Sequence, residues 1–117
     1  MSPKRRDRAA PPAGPHDWEV RFANNDAAKG WEELCQQAPR NTYAAWQEMR
    51  TNAGGAPPTA RHHRLKGGYA EDVFDGRRMP QWQIEVTAGG RIWYLLDVER
   101  RTVWITYASL RHPKVTE

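Results

Sequence analysis

The segment Trp82–Ala108 constrains the fold more than any other part of the chain. Trp82, Ile84 and Val86 alternate with Gln83, Glu85 and Thr87, the period of a strand with one buried face. Ala88-Gly89-Gly90 supplies a tight turn, and Arg91–Val98 returns as an apolar strand. Asp97–Arg101 turns again, and Thr102–Ala108 is a last strand. The two later strands carry bulky residues at both parities. Trp93 and Leu95 oppose Ile92, Tyr94 and Leu96, and Trp104 opposes Val103, Ile105 and Tyr107. Strands apolar on both sides usually lie centrally, covered on both faces. Burial is the favoured explanation; the other is a partly open apolar floor on which bases stack.

The residues before this segment supply the cover. Trp18, Val20 and Phe22 alternate with Glu19 and Arg21 as a first strand. Asn24, Asn25 and Asp26 offer an N-cap to a helix whose inner face is Ala27, Trp31, Leu34 and Ala38, ended by Pro39. Asn41 or Thr42 caps a second helix with Tyr43, Trp46 and Met49 inward, and TNAGGAPPTA closes it. Arg61–Lys66 is a short basic strand, followed by a glycine- and charge-rich loop. The order β-α-α-β-β-β predicts an α+β fold, a small antiparallel-rich sheet with an N-terminal helical hairpin packed on one face.

The chain has 117 residues, enough for one compact domain. Residues 1–16 (KRRDR followed by AAPPAGP) have almost nothing to bury and read as a disordered basic tail, leaving 17–117 as the domain. As a solubilising extension the tail needs no ligand; its charge also suits nucleic acid. The formal net charge of +4 is unevenly spread. Residues 1–16 hold four basic residues and one acid, 17–50 four and six, and 61–117 ten and seven. The basic C-terminal half suits a phosphate-bearing partner. Cys35 is the only cysteine, so neither an internal disulfide nor a zinc cluster is expected, and no cofactor is implied. No apolar run approaches the roughly 20 residues of a membrane span, and the basic N-terminus lacks the apolar core of a secretory signal. The simplest reading is a reduced, cytoplasmic protein.

Three pieces of the basic half share an order: Arg64-Leu65-Lys66-Gly67, then Arg91-Ile92-Trp93-Tyr94, then Arg111-His112-Pro113-Lys114. Each is weak alone. Together, on these strands, they resemble the RelE/ParE toxin superfamily over residues 17–117. The resemblance implies a type II toxin that cleaves mRNA on the ribosome without a metal, or, in the ParE branch, an inhibitor of DNA gyrase. It also implies a cognate antitoxin protein that wraps the toxin as a hetero-oligomer, with ribosome and mRNA as the other partners. A third possibility is an inactive relative that only binds its antitoxin or DNA.

Metal-free RNA cleavage uses the substrate's 2′-hydroxyl as nucleophile. It needs a base for that proton, an acid for the leaving 5′-oxygen, and cations where phosphorane charge develops. Histidine suits the proton transfers, with an ordinary pKa of about 6.5, and arginine's planar fork suits the phosphate. By the resemblance, Arg91 holds the scissile phosphate, His112 is the general acid, Lys66 is a transition-state cation, and His63 stands where some members carry a glutamate base. Arg64, Arg111 and Lys114, with Arg77 and Arg78 in the loop, are candidate RNA contacts. Each has a plainer reading. Arg91 follows a glycine pair and suits a solvated hairpin position, and His112 suits an ordinary exposed histidine. Arg64 and Lys66 suit edge charges that deter strand pairing, and Arg77 and Arg78 flank an Asp-Gly turn. His62 and His63 point to opposite sides of a strand, so at most one faces any site. Two departures stand out. Thr116 and Glu117 occupy the region where several nuclease members end in a base-stacking tyrosine, and Thr87, with Glu85 nearby, replaces a basic residue.

Overall fold

The computed structural model describes residues 3–9 and 12–111; His112 and Lys114 lie outside the described residues. Strand β1 (Glu19–Phe22) leads into helices α1 (Asn25–Gln37) and α2 (Pro39–Thr51). Next come β2 (His62–Arg64), a 3-10 turn at Gly67–Tyr69, β3 (Glu71–Phe74), β4 (Arg77–Glu85), β5 (Arg91–Asp97) and β6 (Thr102–Ser109). The architecture is α+β, a helical hairpin and then a mixed sheet.

Asn24 starts α1 as expected: its Oδ1 accepts from the Ala27 amide at 2.7 Å, satisfying one orphan donor of the first turn. Ala27, Ala28, Trp31 and Leu34 form the buried stripe. Pro39 ends α1 but also begins α2, where its missing N–H costs nothing. The second helix therefore starts ahead of Asn41 and Thr42, and its inner face rotates. Thr42, Ala45 and Met49 are buried, whereas Tyr43, expected inward, is 59% exposed. Thr42 accepts burial because its hydroxyl donates to the Leu34 carbonyl at 3.0 Å.

The sheet runs β1-β6-β5-β4-β2, with β3 also on β4; β1 is parallel to β6 and the other pairs are antiparallel. Central β5 is buried along its whole length, as its two-sided apolar pattern requires. Ile92, Tyr94 and Leu96 join Val20, Phe22, Leu34, Met49 and Ile105 beneath the helices. Leu95 and Trp104 form a second cluster with Ala23, Phe74 and Met79. Helix α1 approaches β6 so closely that a Cβ on Gly30 would stand 1.8 Å from the Ala108 carbonyl oxygen. Among the described residues no helix is long and apolar enough to cross a membrane.

Two segments differ from expectation. The loop after Lys66 contains β3 and the first half of β4. Its turn places Asp75 at φ 53° and Gly76 at φ 72°, the paired left-handed geometry of a type I′ hairpin. Three of the four β3 residues are exposed, so no apolar alternation announces the strand. Residues 3–9, expected within a disordered tail, lie antiparallel along β1. Arg6 N donates to Phe22 O at 2.7 Å, Phe22 N to Asp7 O at 3.1 Å, and Ala9 N to Val20 O at 2.7 Å. Arg6 also grips Asp75 at 2.5 and 3.1 Å and lies 5.3 Å over the Phe74 ring. This covers the β1 edge.

Candidate functional site

Antiparallel register sets His63 opposite Gln83, Gln83 opposite Trp93, and Trp93 opposite Tyr107. Directly paired residues project to one face, so the four form a row across β2, β4, β5 and β6 on the side away from the helices. The Trp93 ring centroid lies 5.3 Å from Tyr107 and 5.6 Å from Tyr69, which the 3-10 turn contributes. Trp93 is 8% exposed, while Tyr69 is 38% exposed and Tyr107 half-buried. The apolar floor is thus buried at its centre and accessible at its two tyrosine rims.

Simple alternation along β6 puts Tyr107 with Ile105, under the helices. A β-bulge changes this. The pairing steps from Tyr94↔Ile105 to Trp93↔Tyr107, leaving Thr106 as the extra residue, and a bulge re-aims the side chains beyond it. Thr106 Oγ1 donates to Gln81 Oε1 at 2.9 Å, and Gln81 Nε2 donates to the Tyr69 carbonyl at 3.0 Å. The bulge and the 3-10 turn are thereby tied together beneath the rings.

The adjacent histidines diverge as alternation predicts. His62 is buried, its Nδ1 3.0 Å from Glu48 Oε2 and its Nε2 2.5 Å from Tyr94 Oη. Burial, and then the charge of Glu48, push the Tyr94 phenol up, so it stays neutral. Its hydroxyl donates to the Ala53 carbonyl at 2.6 Å, which can only accept. Both ring nitrogens of His62 are therefore engaged within the fold, Nδ1 by Glu48 and Nε2 by the Tyr94 hydroxyl. His63 faces the open side, its Nδ1 2.9 Å from the Arg64 carbonyl. A carbonyl only accepts, so Nδ1 carries the hydrogen and the neutral ring keeps its lone pair on Nε2. That is the arrangement of a general base.

Arg91 is on the same face, paired with Glu85 and Ser109. Its Nη1 donates to the carbonyls of Thr87 (3.0 Å), Ala88 (3.3 Å) and Gly90 (3.0 Å), and Nη2 lies 3.5 Å from Glu85. With 8% exposure, the guanidinium fastens the β4–β5 turn, and a phosphate reaching it would compete with Glu85. Arg61, which the sequence does not single out, leaves 82% of its side chain exposed, 4.0 Å from Glu85. Lys66 is exposed ahead of the 3-10 turn. Arg64 donates to the Ala70 carbonyl at 3.0 Å and lines a pocket of about 300 Å³ with Arg78, Glu71 and the Gly67–Gly68 loop. Arg77 lies away from this group, bound to Asp97 at 3.0 and 3.1 Å and to Glu99 at 3.1 Å. Arg111 N donates to Ser109 Oγ at 3.0 Å, and its carbonyl accepts from Tyr107 Oη at 3.3 Å. The chain therefore leaves β6 beside Tyr107. Among the described residues no group of three His, Cys, Asp or Glu could hold a metal ion.

His63 and Arg91 thus share one face, with Arg111 beside Tyr107 at its edge and Lys66 exposed just past β2. Arg64, paired with Trp82, projects to the opposite face with its own pocket beside Arg78, and Arg77 does not join them. Gln83 and the rims Tyr69 and Tyr107 are not singled out by sequence pattern. Gln83 has a findable signal, as the polar partner of a strand residue flanked by aromatics. Tyr107 does not, because bulges leave little trace in composition. The chain matches no protein-family model, no curated protein and no solved structure.

Proposed function

We propose that this face binds single-stranded RNA and cleaves it, and that the chain is a RelE/ParE-like toxin acting on mRNA in the ribosome. The observation that carries this reading is the row His63–Gln83–Trp93–Tyr107, in which an acid–base group and an aromatic floor share one surface. Aromatic rims give bases a stacking surface of any sequence, and Arg61, Lys66 and Arg111 border it with positive charge for phosphates.

In the proposed reaction His63 Nε2 takes the proton of a substrate 2′-hydroxyl. The 2′-oxygen attacks the adjacent phosphorus, the bond from phosphorus to the 5′-oxygen breaks, and His112 protonates the leaving oxygen. The products carry a 2′,3′-cyclic phosphate and a 5′-hydroxyl. Lys66 and Arg61 offset the phosphorane charge. Arg91 acts mainly by holding the turn under its neighbours, since three carbonyls already occupy Nη1. Tyr69 and Tyr107 supply the stacking rings for the substrate bases. An antitoxin covering this face would block it.

Binding without cleavage is the second reading, and the engagement of Arg91 favours it: the family's phosphate ligand is here tied to the turn and to Glu85. As a gyrase inhibitor or an inactive relative, the chain would use its surface by contact alone. Induced expression with transcript mapping separates the two. Cuts inside translated frames, lost in His112→Ala with the protein folded, support cleavage. Relaxed plasmids with intact transcripts support the gyrase reading and sink the first.

A further inference from the structure

The amide of Gln83 has a fixed orientation that the fold does not otherwise need. The Trp93 indole N–H can only donate, and it stands 2.8 Å from Gln83 Oε1. The oxygen is thereby turned to Trp93 and the Nε2 amino group away from it. Among the described residues Nε2 has no hydrogen-bond partner, and the Gln83 side chain is only partly buried. Gln81, one turn of the pleat away, makes the contrast. Its Nε2 donates to the Tyr69 carbonyl and its Oε1 accepts from Thr106, so that amide is consumed by the fold. Gln83 alone of the two offers donors on the floor, between His63 and the aromatic rings.

We propose that Gln83 is a specificity-determining residue that selects the base seated on this floor; this rests on the RNA-binding reading above. With its oxygen held by Trp93, the amide reads by donation. Keto bases offer an acceptor there: guanine O6 with N7 beside it, or uracil O4. Adenine and cytosine carry an amino group at the equivalent position, which would face the Gln83 amino group donor to donor. The site therefore prefers keto bases to amino bases.

The test uses two end-labelled RNA hexamers, GUGUGU and ACACAC, which match in length, charge and purine content and differ in keto against amino edges. Fluorescence anisotropy with the full chain is expected to show GUGUGU bound roughly tenfold more tightly, the discrimination of about one good hydrogen bond. Gln83→Glu keeps an oxygen for the Trp93 indole but replaces donors with acceptors, and is expected to reverse the ratio. Gln83→Leu is expected to bring it close to one. Equal binding by the unaltered chain, or a GUGUGU preference that survives in Gln83→Glu, overturns the assignment of Gln83 and leaves the RNA-binding face standing. Failure to bind either hexamer overturns both.

Discussion

Tyr94 shows how much a single hydroxyl can support. It is hydrogen-bonded to both His62 Nε2 and the Ala53 carbonyl, and both partners are buried. Tyr94→Phe keeps the ring and leaves two polar groups unpaired, at a cost of about 1–3 kcal/mol. Urea denaturation should show the lower midpoint with an unchanged slope, and an unchanged midpoint would mean that water replaces the hydroxyl. Asp97 carries a pH signature. Its complete burial opposes ionisation, but hydrogen bonds from Trp104 Nε1, the Arg100 amide and Arg77, with the Arg77 charge, hold its carboxyl below the usual carboxylate range. A carboxylate lowered on folding contributes stability that is present above its unfolded pKa of about 3.9 and lost as pH falls through the folded value. Stability should therefore drop on acidification below about pH 4, and Asp97→Asn should flatten that limb while lowering stability at neutral pH. At this scale the sequence is a good guide to His62 and His63, because strand alternation separates neighbours without further information. It is a poor guide to Arg91. Nothing in a linear pattern shows that three turn carbonyls converge on one guanidinium.

The elements are legible wherever burial keeps a simple period. Helix α1, the central strands and the helix-before-sheet order all come from apolar spacing. The failures have local causes. Pro39 serves two helices at once, which moves the inner face of α2 from Tyr43 to Thr42. Strand β3 is too exposed to show alternation, and Asp75-Gly76 marks a turn without revealing its partner strand. Residues 3–9 look unfoldable by composition, yet main-chain hydrogen bonds to β1 and the Arg6–Asp75 pair hold them. The bulge at Thr106 matters most for the proposed binding face, because it turns Tyr107 to the open side. Packing between elements gives a direct test at Gly30. Alanine is normally the better helix former, but a Cβ here meets the Ala108 carbonyl at 1.8 Å. Gly30→Ala should push α1 off β6 and destabilise the chain by roughly 1–3 kcal/mol or more. A stabilised variant in thermal melts would contradict the close approach.

Over the whole molecule, the two faces of the sheet divide the work. The helix-covered face carries the main core, and the opposite face is closed at one end by Phe74, Met79, Leu95 and Trp104 and accessible at the other around Tyr69 and Tyr107. Binding of RNA at the accessible end should weaken with salt. Contacts to about three phosphates give a log–log slope near −2 for single strands, and a slope near zero would contradict a phosphate-led interaction. Tyr107→Ala should weaken binding about tenfold to a hundredfold, the loss of one stacked base. Cleavage is most directly tested in a reconstituted translation reaction with end-labelled mRNA, comparing the unaltered chain with His63→Ala and His112→Ala. Cuts within the translated frame that leave 2′,3′-cyclic phosphate ends are expected, reduced about a hundredfold or more in either variant. Intact mRNA under ribosomes saturated with the folded protein, or cuts undiminished in His63→Ala, would contradict the proposed cleavage.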